Sequence, residues 1–263
     1  MCLPLPLRSF RLDQELLFYA LLLLTGLIAG VINTLAGGGS NLTIPALLLM
    51  GLPADMANAT NRVGVLLQCV VGARGFRKAG KLPLDDAPGI LGLSVAGGLA
   101  GALLASFLPN LYLKPVMLAT MVGMALIILI RPSVVAPPPG TPARKVADYP
   151  ASWPLLLVAG FYGGFVQAGV GFVLLGALAG ALRYDLLRAN ALKLLCTIVF
   201  TAAALGVFIW RGQVAWVPGL VLAAGTMTGA RFGVRWALQL SQKTLKWFLF
   251  LMTLAACAAA MWS

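Results

Sequence analysis

The sequence contains no histidine and one glutamate, Glu15. The first absence removes the commonest metal ligand, proton shuttle and general base together. The second leaves Asp55 and Asp185 as single carboxylates in different halves of the chain. A metal-dependent or Ser-His intramembrane enzyme lacks its parts. The chain therefore reads as a non-enzyme, and neither cofactor nor metal is expected. The four cysteines, Cys2, Cys69, Cys196 and Cys257, have no metal-binding spacing, and three lie inside apolar runs. They read as small packing residues rather than disulfides or ligands. Charge is scarce as well: 10% of residues are charged, against about 25% in an average soluble domain.

What charge there is has one dominant sign, with 19 Lys and Arg against 7 Asp and Glu and a net charge of +12. In a soluble protein that balance would suggest nucleic acid. Here the basic residues cluster in short loops beside apolar runs, which reads as topology and contact with anionic lipid, so no nucleic-acid partner is expected.

The abundant material is apolar: 60% of the chain is hydrophobic and the mean hydropathy is +0.95. Leu16 to Ala36, Pro88 to Leu108, Leu111 to Ile130 and Leu245 to Met261 each reach the roughly 20 residues that span a bilayer. The expected fold is an all-α, multi-pass integral membrane protein in a lipid bilayer. Met1 to Arg11 has no apolar core with a small-residue cleavage site, so insertion through the first span is expected rather than a removable signal peptide.

Within this apolar background one short design occurs twice. Gly26, Gly30, Asn33 and Gly37 align with Gly160, Gly164, Gln167 and Gly171 at an offset of 134 residues. A second match, Asp55 to Thr60 over Asp185 to Asn190, follows at an offset of 130. Paired glycine-interrupted helices in the two halves of a membrane protein point to a transport site. Ten apolar segments can be counted, at about 16–36, 40–51, 56–73, 88–108 and 111–130, then 153–168, 171–182, 186–209, 217–235 and 245–261. This divides the chain into a first membrane repeat (1–130), a Pro-rich linker that cannot be helical (131–150) and a second membrane repeat (151–263).

The second segment of each repeat is too short to cross alone and reads as a broken half-helix. If these short segments re-enter, each half has four spans and the halves are parallel. If they cross as half-helices, each half has five and the halves are inverted. Inversion places 13 Lys and Arg on one side and 5 on the other; the parallel arrangement gives 10 against 8. The positive-inside bias favours inversion, with 74–81 and 231–246 cytoplasmic.

Polar side chains inside a membrane are functional candidates by default. They gather around the two glycine breaks and the helix after each: Asn33, Thr34, Ser40, Asn41, Thr43, Asn58, Thr60, Asn61, Arg62 and Gln68 in the first half, Gln167, Arg188, Asn190, Lys193 and Thr197 in the second. Asn190, Lys193, Thr197 and Thr201 form one helical stripe, and Asn58, Asn61 and Gln68 another. Plainer roles compete. Asn58, Thr60 and Asn61 could satisfy helix ends or glue helices together. Asp55 and Asp185 stand where an N-cap would, and Arg62 and Lys193 could reach out to the interface. Gly26 and Gly30, like Gly97 and Gly101, suit close helix packing, whereas three successive glycines at 37–39 break a helix. The expected binding wall is Asn33, Gly37, Gly38, Gly39, Ser40, Asn41, Asn58, Asn61, Arg62, Gln167, Gly171, Asn190 and Lys193. The break offers free N–H groups at a half-helix start and the two cations offer charge, a combination suited to an anion.

The segments 30–39 (GVINTLAGGG), 57–62 (ANATNR), 165–171 (FVQAGVG) and 188–193 (RANALK) resemble the TauE/SafE sulfite exporter family, also called toluene sulfonate uptake permeases. The resemblance covers nearly the whole chain as two related halves, with Phe172 in the second where the first has Gly38. It implies a secondary transporter of the bacterial inner membrane that moves sulfite, sulfonates or related organic anions by alternating access, with export the expected direction. A permease for a non-sulfur organic anion and a non-transporting scaffold or accessory subunit are the alternatives. The coupling ion, proton or sodium, and a homo-oligomeric state are left open.

Overall fold

A computed structural model describes residues 5–130, 141–240 and 244. Cys2, Cys257, the segment 245–261, Lys243 and the first part of the linker fall outside the described residues. Those described are all-helical apart from turns and connections. In chain order the helices are α1 (Leu5–Leu35), α2 (Ser40–Leu49), α3 (Ala54–Lys78), α4 (Ala87–Phe107), α5 (Asn110–Ile130), α6 (Ser152–Phe165), α7 (Val170–Leu175), a π-helical turn over Gly176–Ala181, α8 (Leu186–Trp210) and α9 (Trp216–Gln239). Glu15–Leu35, Ala87–Phe107 and Leu186–Trp210 are long and apolar enough to cross a bilayer. Their outward faces are apolar, with Leu17, Leu24, Leu103, Leu104 and Ile209 all exposed, as lipid contact requires.

The helix breaks fall close to where glycine predicts them. The first lies between Leu35 and Ser40, with Gly37 at φ +96°. The second lies one turn earlier in its hairpin than the alignment suggests. α6 ends at Phe165, Gln167 and Gly169 carry the positive φ, and Gly171 is already helical. Asp185 caps α8 by accepting from the N–H groups of Leu187 and Arg188. Asp55 is not a cap: Pro53 holds that position, and Asp55 lies one residue inside α3.

Glycine seams set the direction of each helix. Gly26 and Gly64 both abut Leu222 and Thr226, Gly219 abuts Val63, and Gly233 abuts Thr34. Helices α1 and α3 therefore both run in the same direction as α9. Likewise Gly160 meets Ser94 and Gly164 meets Gly98, so α6 runs with α4. Small residues allow this close backbone approach where no hydrophobic effect drives helices together in lipid. The two seams correspond residue by residue. Gly225 lies on Leu23 and Leu27 as Gly97 lies on Leu157 and Phe161, again an offset of 134 along α1 and α6.

Because α1 and α3 are parallel, α2 must return between them. It does so, with Thr43 bonded to Asn61 and Leu47 packed with Ala57 and Leu22. Helices α1 and α2 thus form a hairpin rooted where α3 begins. At that pole Asp55, Ser106, Asn110 and Gln213 meet. Helices α6 and α7 form a second hairpin rooted at the other pole. There the Arg144 N–H bonds the Leu182 carbonyl, Val146 is held by Asp86, and Lys81 and Asp185 line one recess. The two hairpins meet tip to tip, with the backbone of Gly37 against that of Gly171.

Candidate functional site

At the meeting of the tips, Asn33, Ser40, Gln167, Gly171, Lys193 and Thr197 line one crevice with Val65, Val170 and Leu194. The crevice is closed so tightly that it has no room for a water molecule. It draws on α1, α2, α3, α7, α8 and the α6–α7 turn, so both halves build it.

Lys193 is 1% exposed. Its Nζ donates to the carbonyl of Asn33 at 2.9 Å, to that of Thr34 at 3.4 Å and to Asn190 Oδ1 at 2.8 Å. The ammonium thus lies on the C-terminal end of α1, where the last carbonyls are unpaired within the helix and carry roughly half a negative charge. Asn190 sits one turn before Lys193 and holds it in place; its Nδ2 is buried with no partner.

Arg62 does the same for the opposite hairpin. It is fully buried, and Nη1 donates to the Gly163 carbonyl at 2.9 Å. Nη2 reaches the carbonyls of Gly164 at 2.5 Å and Phe165 at 3.4 Å. Asn58 reinforces the clasp through Nδ2 on the Phe165 carbonyl, 2.8 Å away, and the guanidinium lies over Phe208, 4.9 Å from the ring centroid. Neither Arg62 nor Lys193 reaches out to an interface, and among the described residues neither has a carboxylate partner.

Between the two clasps Asn61 forms the polar bridge. Its amide reaches Ser40 Oγ at 3.1 Å and Gln167 Oε1 at 3.5 Å, and its Oδ1 accepts from Thr43 at 2.6 Å. Gln167 continues the chain by donating to Thr201 at 2.9 Å. Among the described residues the N–H groups of Gly38, Gly39 and Ser40 make no backbone hydrogen bond, as the first donors of a helix do, and Ser40 lines the crevice.

Of the residues expected from sequence, Asn33, Ser40, Gln167, Gly171 and Lys193 come together on the crevice wall. Asn61 and Asn190 stand directly behind it, and Gly37, Gly38 and Gly39 shape its rim. Arg62 and Asn58 are committed to the end of α6. Asn41 lies in the first turn of α2, with Oδ1 buried and unpartnered. Thr43, Thr197 and Thr201, polar positions that the sequence also marks, join the set. The last two extend the Asn190–Lys193 stripe that helical spacing already marks, whereas the apolar Val65, Val170 and Leu194 carry no such signal.

A family model described as sulfite exporter TauE/SafE matches residues 22–260. A probable membrane transporter protein, ORF9, from Sinorhizobium sp. is 31% identical over 249 residues, covering 92% of each chain. The probable membrane transporter protein YfcA of Escherichia coli K12 is 28% identical over 234 residues, covering 88% of this chain and 84% of its own. A probable membrane transporter protein of Haemophilus influenzae is 29% identical over 218 residues, covering 82% and 84%. No solved structure matches the chain.

Proposed function

Because the chain belongs to the sulfite exporter TauE/SafE family, we propose that it is a multi-pass inner-membrane transporter that exports a small anion, sulfite or an organosulfonate, by alternating access. The observation that carries this reading is the crevice in which Lys193, Asn33, Ser40 and Gln167 converge at the Gly37–Gly171 contact. The ligand class is supported by what is left unsatisfied nearby. Asn190 Nδ2, beside Lys193, is a buried donor without an acceptor, and the first N–H groups of α2, from Ser40 on the crevice wall, add to it. A donor-rich, cation-bearing site with no carboxylate suits an oxyanion, whose three or four oxygens accept many hydrogen bonds.

In this reading Asn33, Ser40, Gln167, Gly171 and Lys193 touch the anion. Gly37, Gly38 and Gly39 open the backbone to it, Asn61 and Asn190 orient the wall, and Arg62, Asn58 and Asn41 hold the hairpin frame. The closed crevice corresponds to a collapsed, anion-free arrangement, and the hairpin tips part to admit the anion. Inverted repeats, 1–130 and 151–263 about the linker 131–150, belong to the same reading. They are supported by hairpins rooted at opposite poles and by three full traverses, α3, α4 and α5, after the first hairpin; an odd number reverses the second half. Basic residues gather at one pole (Arg74, Arg77, Lys78, Lys81, Arg144, Lys145, Arg183 and Arg188), which makes that pole cytoplasmic.

Counterflow in proteoliposomes with labelled sulfite, taurine, sulfoacetate and acetate tests the assignment. Exchange of sulfite or a sulfonate in preference to acetate is expected. Preference for acetate would replace the sulfur anion by a carboxylate, and exchange of none of the four would remove transport.

A further inference from the structure

A second set of unsatisfied groups lies at the pole where α3 begins, and its character is opposite to that of the crevice. There Asp55 on α3 meets Gln213, just beyond the end of α8, and Gln213 Nε2 donates to Asp55 Oδ2 and to the Ser106 carbonyl, each at 3.2 Å. The remaining oxygen of each side chain, Asp55 Oδ1 and Gln213 Oε1, is sealed from solvent and has no donor. Two buried acceptors on side chains already joined by a hydrogen bond form an incomplete arrangement. Each orphan acceptor costs about 1–3 kcal/mol if nothing fills it, and more where it carries charge. The C-terminal ends of α4 and α8 both reach this place, and their carbonyl ends favour positive charge. The N-terminal turns of α3 and α5 supply one N–H, that of Asp55, which is taken up by Asn110 Oδ1 at 2.9 Å.

Among the residues whose side chains are described, no cation completes the set. The basic residues on the elements packed here are Arg211 and Lys114, both exposed, and the Arg211 guanidinium lies over the Phe107 ring, 4.5 Å from its centroid. Arg62, two turns further along α3, is committed to the end of α6. The one salt bridge among the described residues joins Arg188 to Asp185 at the opposite pole.

We propose that Asp55 and Gln213 form a binding site for a small monovalent cation, a proton or a sodium ion, which lodges between Asp55 Oδ1 and Gln213 Oε1. A proton on Oδ1 completes a two-bond ring with the Gln213 amide. A sodium ion takes the same two oxygens and further oxygens from the surrounding carbonyls. The site holds together α3, α4 and α8 at their shared end. α3 also carries Arg62 and Asn61, and α8 carries Lys193. Occupancy is therefore linked mechanically to the crevice, and the cation becomes the coupling ion of the cycle; that last step rests on the transport reading, whereas cation binding does not.

The test is the melting temperature of the purified full-length protein in detergent. One arm varies sodium against choline at fixed pH, and the other varies pH in choline without sodium. A rise of about 3–6 °C at roughly ten times the cation's Kd is expected in one arm, and the arm that responds identifies the ion. Asp55→Asn and Gln213→Leu should each abolish the response. If Asp55→Asn does not insert, Gln213→Leu carries the test alone, since it leaves α3 intact. A wild-type protein insensitive in both arms, or variants that keep the full response, overturns the site. Cation binding without any anion counterflow would instead leave the site standing and remove the transport reading.

Discussion

Replacing Gly171 by alanine is the sharpest probe of the tip contact. A Cβ at this position meets the Cα and carbonyl oxygen of Gly37 closer than atoms can approach, and both are main-chain atoms that cannot swing aside. Nor can Gly37 yield easily, because its φ of +96° is already a conformation that few residues other than glycine adopt. The added methyl must part the two hairpins, and overpacking of this kind costs about 1–3 kcal/mol. If the cost falls on the closed state alone, its population relative to the open states drops about 5- to 150-fold. Counterflow should fall by a comparable factor while expression, insertion and the size-exclusion profile stay as in the wild type. Gly180→Ala is the matched control: it sits on the same hairpin, and its Cβ meets nothing within 4 Å. Counterflow by Gly171→Ala at the rate of Gly180→Ala would refute the idea that the tips must close on one another during each cycle.

Arg62→Met removes the donors of the Gly163 and Gly164 carbonyls and should destabilise the fold by about 2–6 kcal/mol, at 1–3 kcal/mol for each orphaned group; an unchanged thermal melt in detergent would contradict the clasp. Lys193→Met keeps the length and removes the charge, so it should abolish binding of the anion while the protein still inserts, and unchanged affinity by calorimetry would count against the charge role. Single cysteines at positions 78 and 243, introduced after the native cysteines are removed, should both be shielded from an impermeant label in intact cells; labelling of 243 from outside would sink the inverted arrangement.

The extent to which the sequence foretells the structure follows the range of each interaction. Gly26, Gly30 and Gly37 announce a close-packed seam and a break, because glycine's backbone freedom and lack of bulk are local properties. The stripe Asn190, Lys193, Thr197 and Thr201 is equally legible, since helical spacing alone puts those side chains on one face. The partners of Arg62 are not. Its donors go to main-chain carbonyls about a hundred residues away, and a carbonyl has no letter of its own in the sequence. The same holds for Asp55. An aspartate before an apolar helix reads as a cap, and only the fold brings in Gln213, 158 residues distant. The earlier end of α6 is also a tertiary outcome: Arg62 and Asn58 supply partners for its last carbonyls, which lets the helix stop a turn before its counterpart α1.

The glycine seams bear on which parts of this molecule can move together. Helix α1 is locked to α9 and α6 to α4 by backbone contacts that leave no space for sliding. Each hairpin is thus fastened to a span encoded in the opposite half of the chain. A rocking motion in which one half of the sequence swings against the other would have to tear both seams. If the molecule moves by parts during transport, the parts are composite, one built on α1, α2 and α9, the other on α6, α7 and α4. Helix α3 is seamed to α9 through Gly64 and Gly219, and α8 packs on α4 where Phe200 meets Gly98, so Arg62 and Lys193 each reach from one unit to the hairpin of the other.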